Sequence, residues 1–109
     1  MGNGIYRGRT FTPAELDRTL DAAARRLARE VERRVERWTR PSPPLVHALV
    51  IRLFGSAANA ASFMDLSGST IYRWTDVGVK VSPIRRVDWM QLLVLDQRLD
   101  IHALLKRYG

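Results

Sequence analysis

The sequence predicts an all-α protein, with a long N-terminal amphipathic helix followed by about five short helices in one compact domain. Two observations carry that expectation. Apolar residues recur at helical spacing from Leu16 to Trp38. Cap residues and Pro or Gly stops then divide the rest of the chain into short segments.

Residues 1–11 contain Gly2, Gly4 and Gly8 with Arg7 and Arg9 and no helical periodicity, which predicts a flexible basic arm. A helix start follows. In Thr12-Pro13-Ala14-Glu15 the Thr12 hydroxyl can accept an orphan backbone N–H and the Glu15 carboxylate can reach back. Pro13 suits the first helical position, where no N–H is needed, and Phe11 and Leu16 can staple across the start. The stripe Leu16, Leu20, Ala24, Leu27, Val31, Val35 and Trp38 is spaced 4-4-3-4-4-3, an eleven-residue repeat that stays on one face of a nearly straight helix. It predicts one helix over 12–40. Its other faces alternate Arg and Glu, with Glu30→Arg34 and Glu36→Arg40 in the favourable order, and read mainly as a solvated surface.

Pro41-Ser42-Pro43-Pro44 predicts a stiff joint over 41–44, and a second unit over 45–109. Leu45 to Phe54 is apolar nearly all round, as a buried helix is, with Gly55 to end it and Ser56 to cap the next. Ala57 to Met64 reads as a short helix, Asp65 to Gly68 as a turn, and Ser69 to about Asp76 as a third helix. Ser82-Pro83 opens a helix to about Leu99 carrying Ile84, Val87, Met90, Leu93 and Val94. Asp100 caps a last helix with Ile101, Leu104, Leu105 and Tyr108 on its apolar side.

Cysteine is absent, so disulfides, thiolate nucleophiles and cysteine-based metal sites are excluded. The longest apolar stretch, Leu45 to Phe54, is interrupted by His47 and Arg52 and is far shorter than the roughly 20 residues of a membrane span. Neither a signal peptide nor an acylation signal is read at the N-terminus, so a cytoplasmic location is expected. His47 and His102 lie in different helices without metal-ligand spacing, and phosphate-cradling Gly loops are missing. The expectation is a binding protein, not an enzyme, with no cofactor. Its partner is expected to be polyanionic, because 18 Lys and Arg stand against 11 Asp and Glu, a formal charge of +7.

The segment from Ser56 to Trp74 is the informative one. Two short helices joined tightly need a small residue where they meet, which Ala61 supplies, and Leu66 plugs the core beneath the turn. Ile71 and Trp74 anchor the inner face of the second helix, leaving Ser67, Ser69, Thr70, Tyr72 and Arg73 outward, a short, polar and basic set of the kind that reads a DNA groove. These residues resemble the helix-turn-helix regulators of phage Cro, repressor and CII type, over about Leu45 to Leu99. Ala61, Leu66, Ile71 and Trp74 match that family's core positions, and Ser69 to Trp74 looks like its recognition helix. Two positions depart: Asp65 stands where the family has a turn Gly, and Ala57 where it has Gln. Leu66 to Trp74, with Val81-Ser82-Pro83 and Arg85 to Trp89, is also similar to the excisionase and AlpA-type winged helix, with Val77 to Val81 as a first wing strand.

The resemblance implies a sequence-specific regulator of transcription that binds double-stranded DNA, of phage or mobile-element type. Ser67, Ser69, Thr70, Tyr72 and Arg73 would contact bases, and Ser56, Asn59, Lys80, Arg85 and Arg86 phosphates. The stripe Leu16, Leu20, Leu27, Val31, Val35 and Trp38 would dimerise the chain or dock it on a protein partner. The rival expectation is a helical interaction module, an adaptor for RNA polymerase or a packaging component, with that stripe as its working surface.

Overall fold

The computed structural model describes residues 8–75 and 83–108, all of whose regular structure is helical. In chain order the elements are α1 (Pro13–Glu32), α2 (Pro43–Phe54), α3 (Ala57–Met64), α4 (Gly68–Thr75), α5 (Arg86–Leu95) and α6 (Ile101–Tyr108). The start of α1 forms as its residues dictate: Glu15 N–H donates to Thr12 Oγ1 at 3.2 Å and Thr12 N–H to Glu15 Oε1 at 2.9 Å. Those two bonds to Thr12 hold the Glu15 carboxyl below its usual range. Phe11 packs against the core that Leu16 enters.

The far end of α1 departs from the expected 12–40. The helix stops at Glu32, because Arg34 turns left-handed (φ 54°). Arg34 N–H bonds Val31 O at 3.1 Å and Val35 N–H bonds Glu30 O at 3.2 Å, a Schellman closure made without glycine. Long-range contacts hold it there. The Arg34 guanidinium lies 4.4 Å from the Tyr108 ring centroid and donates to Tyr108 O at 2.7 Å. Glu30 turns away from Arg34 and accepts from the Thr39 N–H and hydroxyl at 2.9 and 2.7 Å. Burial raises the Glu30 pKa, but these bonds together with the Arg26 and Arg29 charges outweigh it and leave the carboxyl lowered. Val35 and Trp38 therefore lie in the connector, half-buried, and the Glu36→Arg40 helical pair does not exist. Pro43 and Pro44 belong to α2, whose first turn needs no N–H from them, with Ser42 as its N-cap.

The stripe of α1 is the second correction. Leu16, Leu20, Ala24, Leu27 and Val31 are buried in this chain's own core with Leu45, Val46, Leu49, Val50, Ile71, Trp89, Leu92, Leu93 and Leu104. The helix packs on α2, α5 and α6. A stripe so covered cannot be the expected dimerisation or docking surface, and 12–40 and 45–109 share one core. Two arginines lock it down. Arg98 donates to Asp21 at 2.8 Å, to Asp96 at 3.0 Å and to Asp17, while Arg52 reaches Asp17 at 2.7 Å and Asp96 at 3.3 Å. Hydrogen bonds from Arg52 and Arg98 lower the Asp17 pKa, and those to Asp96 and Asp21 raise that of Arg98.

The helix expected from Ser82-Pro83 starts at Arg86 instead, Ser82 lying outside the described residues, and ends with Gln97 left-handed (φ 58°). Its buried face is Asp88, Trp89, Leu92 and Leu93, whereas Val87 is exposed. Asp100 caps α6 by accepting from Ala103 N–H at 3.0 Å. On α6 Leu104 is buried, but Leu105 and Tyr108, expected on the apolar side, are exposed.

Candidate nucleic-acid interface

Helices α2, α3 and α4 pack mutually, and local chemistry shapes each joint among them. Gly55 closes α2 with φ 82° and nothing within 4 Å of where a Cβ would lie, so backbone conformation rather than space favours glycine there. The α2–α3 break bends by 77°. Ser56 Oγ accepts from Asn59 N–H at 3.1 Å, and the Asn59 amide donates back to Phe54 O at 3.0 Å. Ser56 and Asn59, expected on phosphates, are thus engaged in joining α2 to α3.

Ala60 and Ala61 are both buried where α3 meets its neighbours, and their size permits the close approach. Asp65 takes the left-handed conformation (φ 55°, ψ 46°) in place of glycine, and Leu66 N–H closes onto Ala61 O at 2.9 Å. Leu66 packs against the core beneath the turn. Ser67 Oγ then accepts from Thr70 N–H at 3.1 Å and lies 2.8 Å from the Thr70 hydroxyl, starting α4. These two side chains, expected on bases, form a helix cap.

Within α4, Ile71, Trp74 and Thr75 are buried, the Thr75 hydroxyl donating to Ile71 O and Tyr72 O at 3.3 Å. Ser69, Tyr72 and Arg73, spaced i, i+3, i+4, share the opposite face and are exposed, Tyr72 by 64%. The expected base-contacting set of five is therefore an outward triad. Arg73 has no ion pair with a described residue. Of the expected phosphate contacts, Lys80 lies outside the described residues, as do Val77 to Val81, the wing strand of the winged-helix resemblance. Arg86 is half-buried, and Arg85 is exposed but engaged by Asp88 at 2.9 Å, which raises the Arg85 pKa.

Sequence reasoning missed Phe63. It is 63% exposed on α3, its ring centroid 5.4 Å from that of Phe54. The signal was present: Ala57, Ala60, Ala61 and Met64 define the inward face at helical spacing, which leaves position 63 outside.

A cleft of about 240 Å³ lies elsewhere, lined among others by Thr19, Arg26, Arg40, Leu45 and Trp89, with no carboxylate or imidazole in its wall. No group of three or more potential metal ligands occurs among the described residues. His47 is half-buried, and burial lowers its pKa. No single described helix is long and apolar enough to cross a membrane. Comparisons with protein-family models, with curated proteins and with solved structures find no match to this chain.

Proposed function

We propose that the protein is a sequence-specific regulator that binds double-stranded DNA by setting α4 into the major groove. The observation that carries this reading is the two-faced character of α4: Ile71 and Trp74 are buried while Ser69, Tyr72 and Arg73 stand exposed beyond a tight turn. Eight residues span roughly 12 Å, the width of the groove, and Arg73 can donate two bonds to the O6 and N7 of a guanine. Tyr72 and Ser69 supply hydroxyls and Tyr72 an apolar ring edge for neighbouring bases or phosphates. Lys80 and Arg86 serve as backbone contacts that set register without reading sequence. Such a regulator acts in the cytoplasm, without a cofactor. Pairing of two copies through the α1 stripe is not part of this reading, because that stripe is interior.

Selection of bound duplexes from a random pool tests the reading. Arg73→Ala should lose about 1–3 kcal/mol of discrimination, concentrated at one base position, while Lys80→Ala weakens all sequences alike. An unchanged ranking of sites in Arg73→Ala overturns the assignment of α4.

A further inference from the structure

We propose that the outer face of α1 is a second DNA-binding surface that holds the phosphate backbone of another duplex, so that one molecule bridges two DNA segments. Arg18, Arg25 and Arg29 fall on the side of α1 opposite Leu20, Leu27 and Val31, and all three are exposed. Every carboxylate of α1 is engaged elsewhere. Glu15 binds Thr12, Asp17 and Asp21 are held by Arg52 and Arg98, Glu30 binds Thr39, and Glu32 pairs with Arg107. Arg18, Arg25 and Arg29 form no ion pair with any described residue. Glu15 and Glu30 keep their charge near Arg18 and Arg29, but neither forms an ion pair with them, so the outer face of α1 presents three aligned guanidinium groups whose donors no described carboxylate takes up.

The chemistry of that line fits phosphate. Guanidinium pairs with phosphate through two parallel bonds, and the run from Arg18 to Arg29 covers roughly 16 Å of helix. Duplex DNA offers one negative charge per about 1.7 Å of axis, so many registers satisfy three arginines and sequence is irrelevant. No exposed large apolar side chain lies on α1, as insertion into a membrane would require. Position separates this surface from α4. Helix α2 packs against both α1 and α4, and the arginine face of α1 is turned away from α2.

The inference takes duplex DNA as the polyanion from the reading of α4, and the test keeps the two apart. A duplex containing the selected site is fixed to beads, the full chain is added at low salt, and recruitment of a second, labelled duplex is measured. Wild type should recruit it. Arg18→Gln, Arg25→Gln and Arg29→Gln combined should still be retained by the fixed duplex but recruit at least tenfold less, and lysine at all three positions should restore recruitment. Tyr72→Ala with Arg73→Ala should still bind DNA through α1, indifferent to sequence. Failure of wild type to recruit, or undiminished recruitment by the glutamine variant, overturns the proposal. If wild type does not recruit, the glutamine variant loses all DNA binding and the α4 variant binds and ranks sites as wild type does, α1 is the DNA surface, the reading of α4 falls and bridging falls with it.

Discussion

Truncating Leu27 to alanine tests whether the stripe of α1 belongs to this chain's own core or to an interface between chains. Leu27 is 2% exposed and lies midway along the stripe, between Ala24 and Val31, both buried. The substitution removes three carbon groups at about 0.8 kcal/mol each, or about 2.4 kcal/mol of transfer energy. A cavity that collapses only in part raises the expected loss to about 3–4 kcal/mol. For a domain near 100 residues each kcal/mol moves the melting midpoint by about 4–8 °C, so a fall of at least 12 °C is expected. Leu105→Ala, at a position 57% exposed, should cost less than about 1 kcal/mol and serves as the control. Thermal denaturation followed by circular dichroism, at several protein concentrations, measures both. If Leu27→Ala melts as wild type does, or if the loss depends on concentration with a fall in sedimenting mass, the stripe is intermolecular and the packing described above is wrong.

Three further outcomes are expected. Gln97→Gly should raise stability by about 0.5–1 kcal/mol, read as a higher urea midpoint, because Gln97 is exposed and left-handed; Arg34→Gly should gain nothing, since it loses the contacts to Tyr108. Acid titration of stability should show the Asp17 linkage. Its pKa is lowered on folding, so its contribution is complete above the ordinary value of 3.8 and is lost as pH falls through the lower folded value; Asp17→Asn should flatten that limb, and an unaltered acid limb contradicts the pairing. DNA affinity should fall steeply with salt, with a slope of about −0.9 in log K against log salt for each phosphate contact; neutralising Arg86 should make it shallower by about one, and no change removes Arg86 from the interface.

What the sequence determined alone is the caps at Thr12, Ser56 and Asp100 and the inner and outer faces of α4. Thr12, Ser56 and Asp100 each act on an N–H three residues ahead, a local bond that needs no knowledge of the rest of the chain; Ser67 makes the same bond where a base contact is expected. Ile71 and Trp74 inward against Tyr72 and Arg73 outward follow from period and polarity in the same way. The left-handed Asp65 follows only from the resemblance, which puts a turn Gly at that position. Tertiary structure decided the helix ends at Arg34 and Gln97, where no glycine marks the stop. Arg34 is held by Tyr108, 74 residues away, and the residue after Gln97, Arg98, is drawn to Asp17 and Asp21 on α1. It also decided what covers the stripe. Amphipathic spacing states that Leu20 and Leu27 need an apolar partner, but any complementary face meets that need, and here α2, α5 and α6 of the same chain supply it. The charge of α1 is settled at the same level: which of its carboxylates and arginines remain free depends on Arg52, Arg98 and Arg107 arriving from elsewhere in the fold.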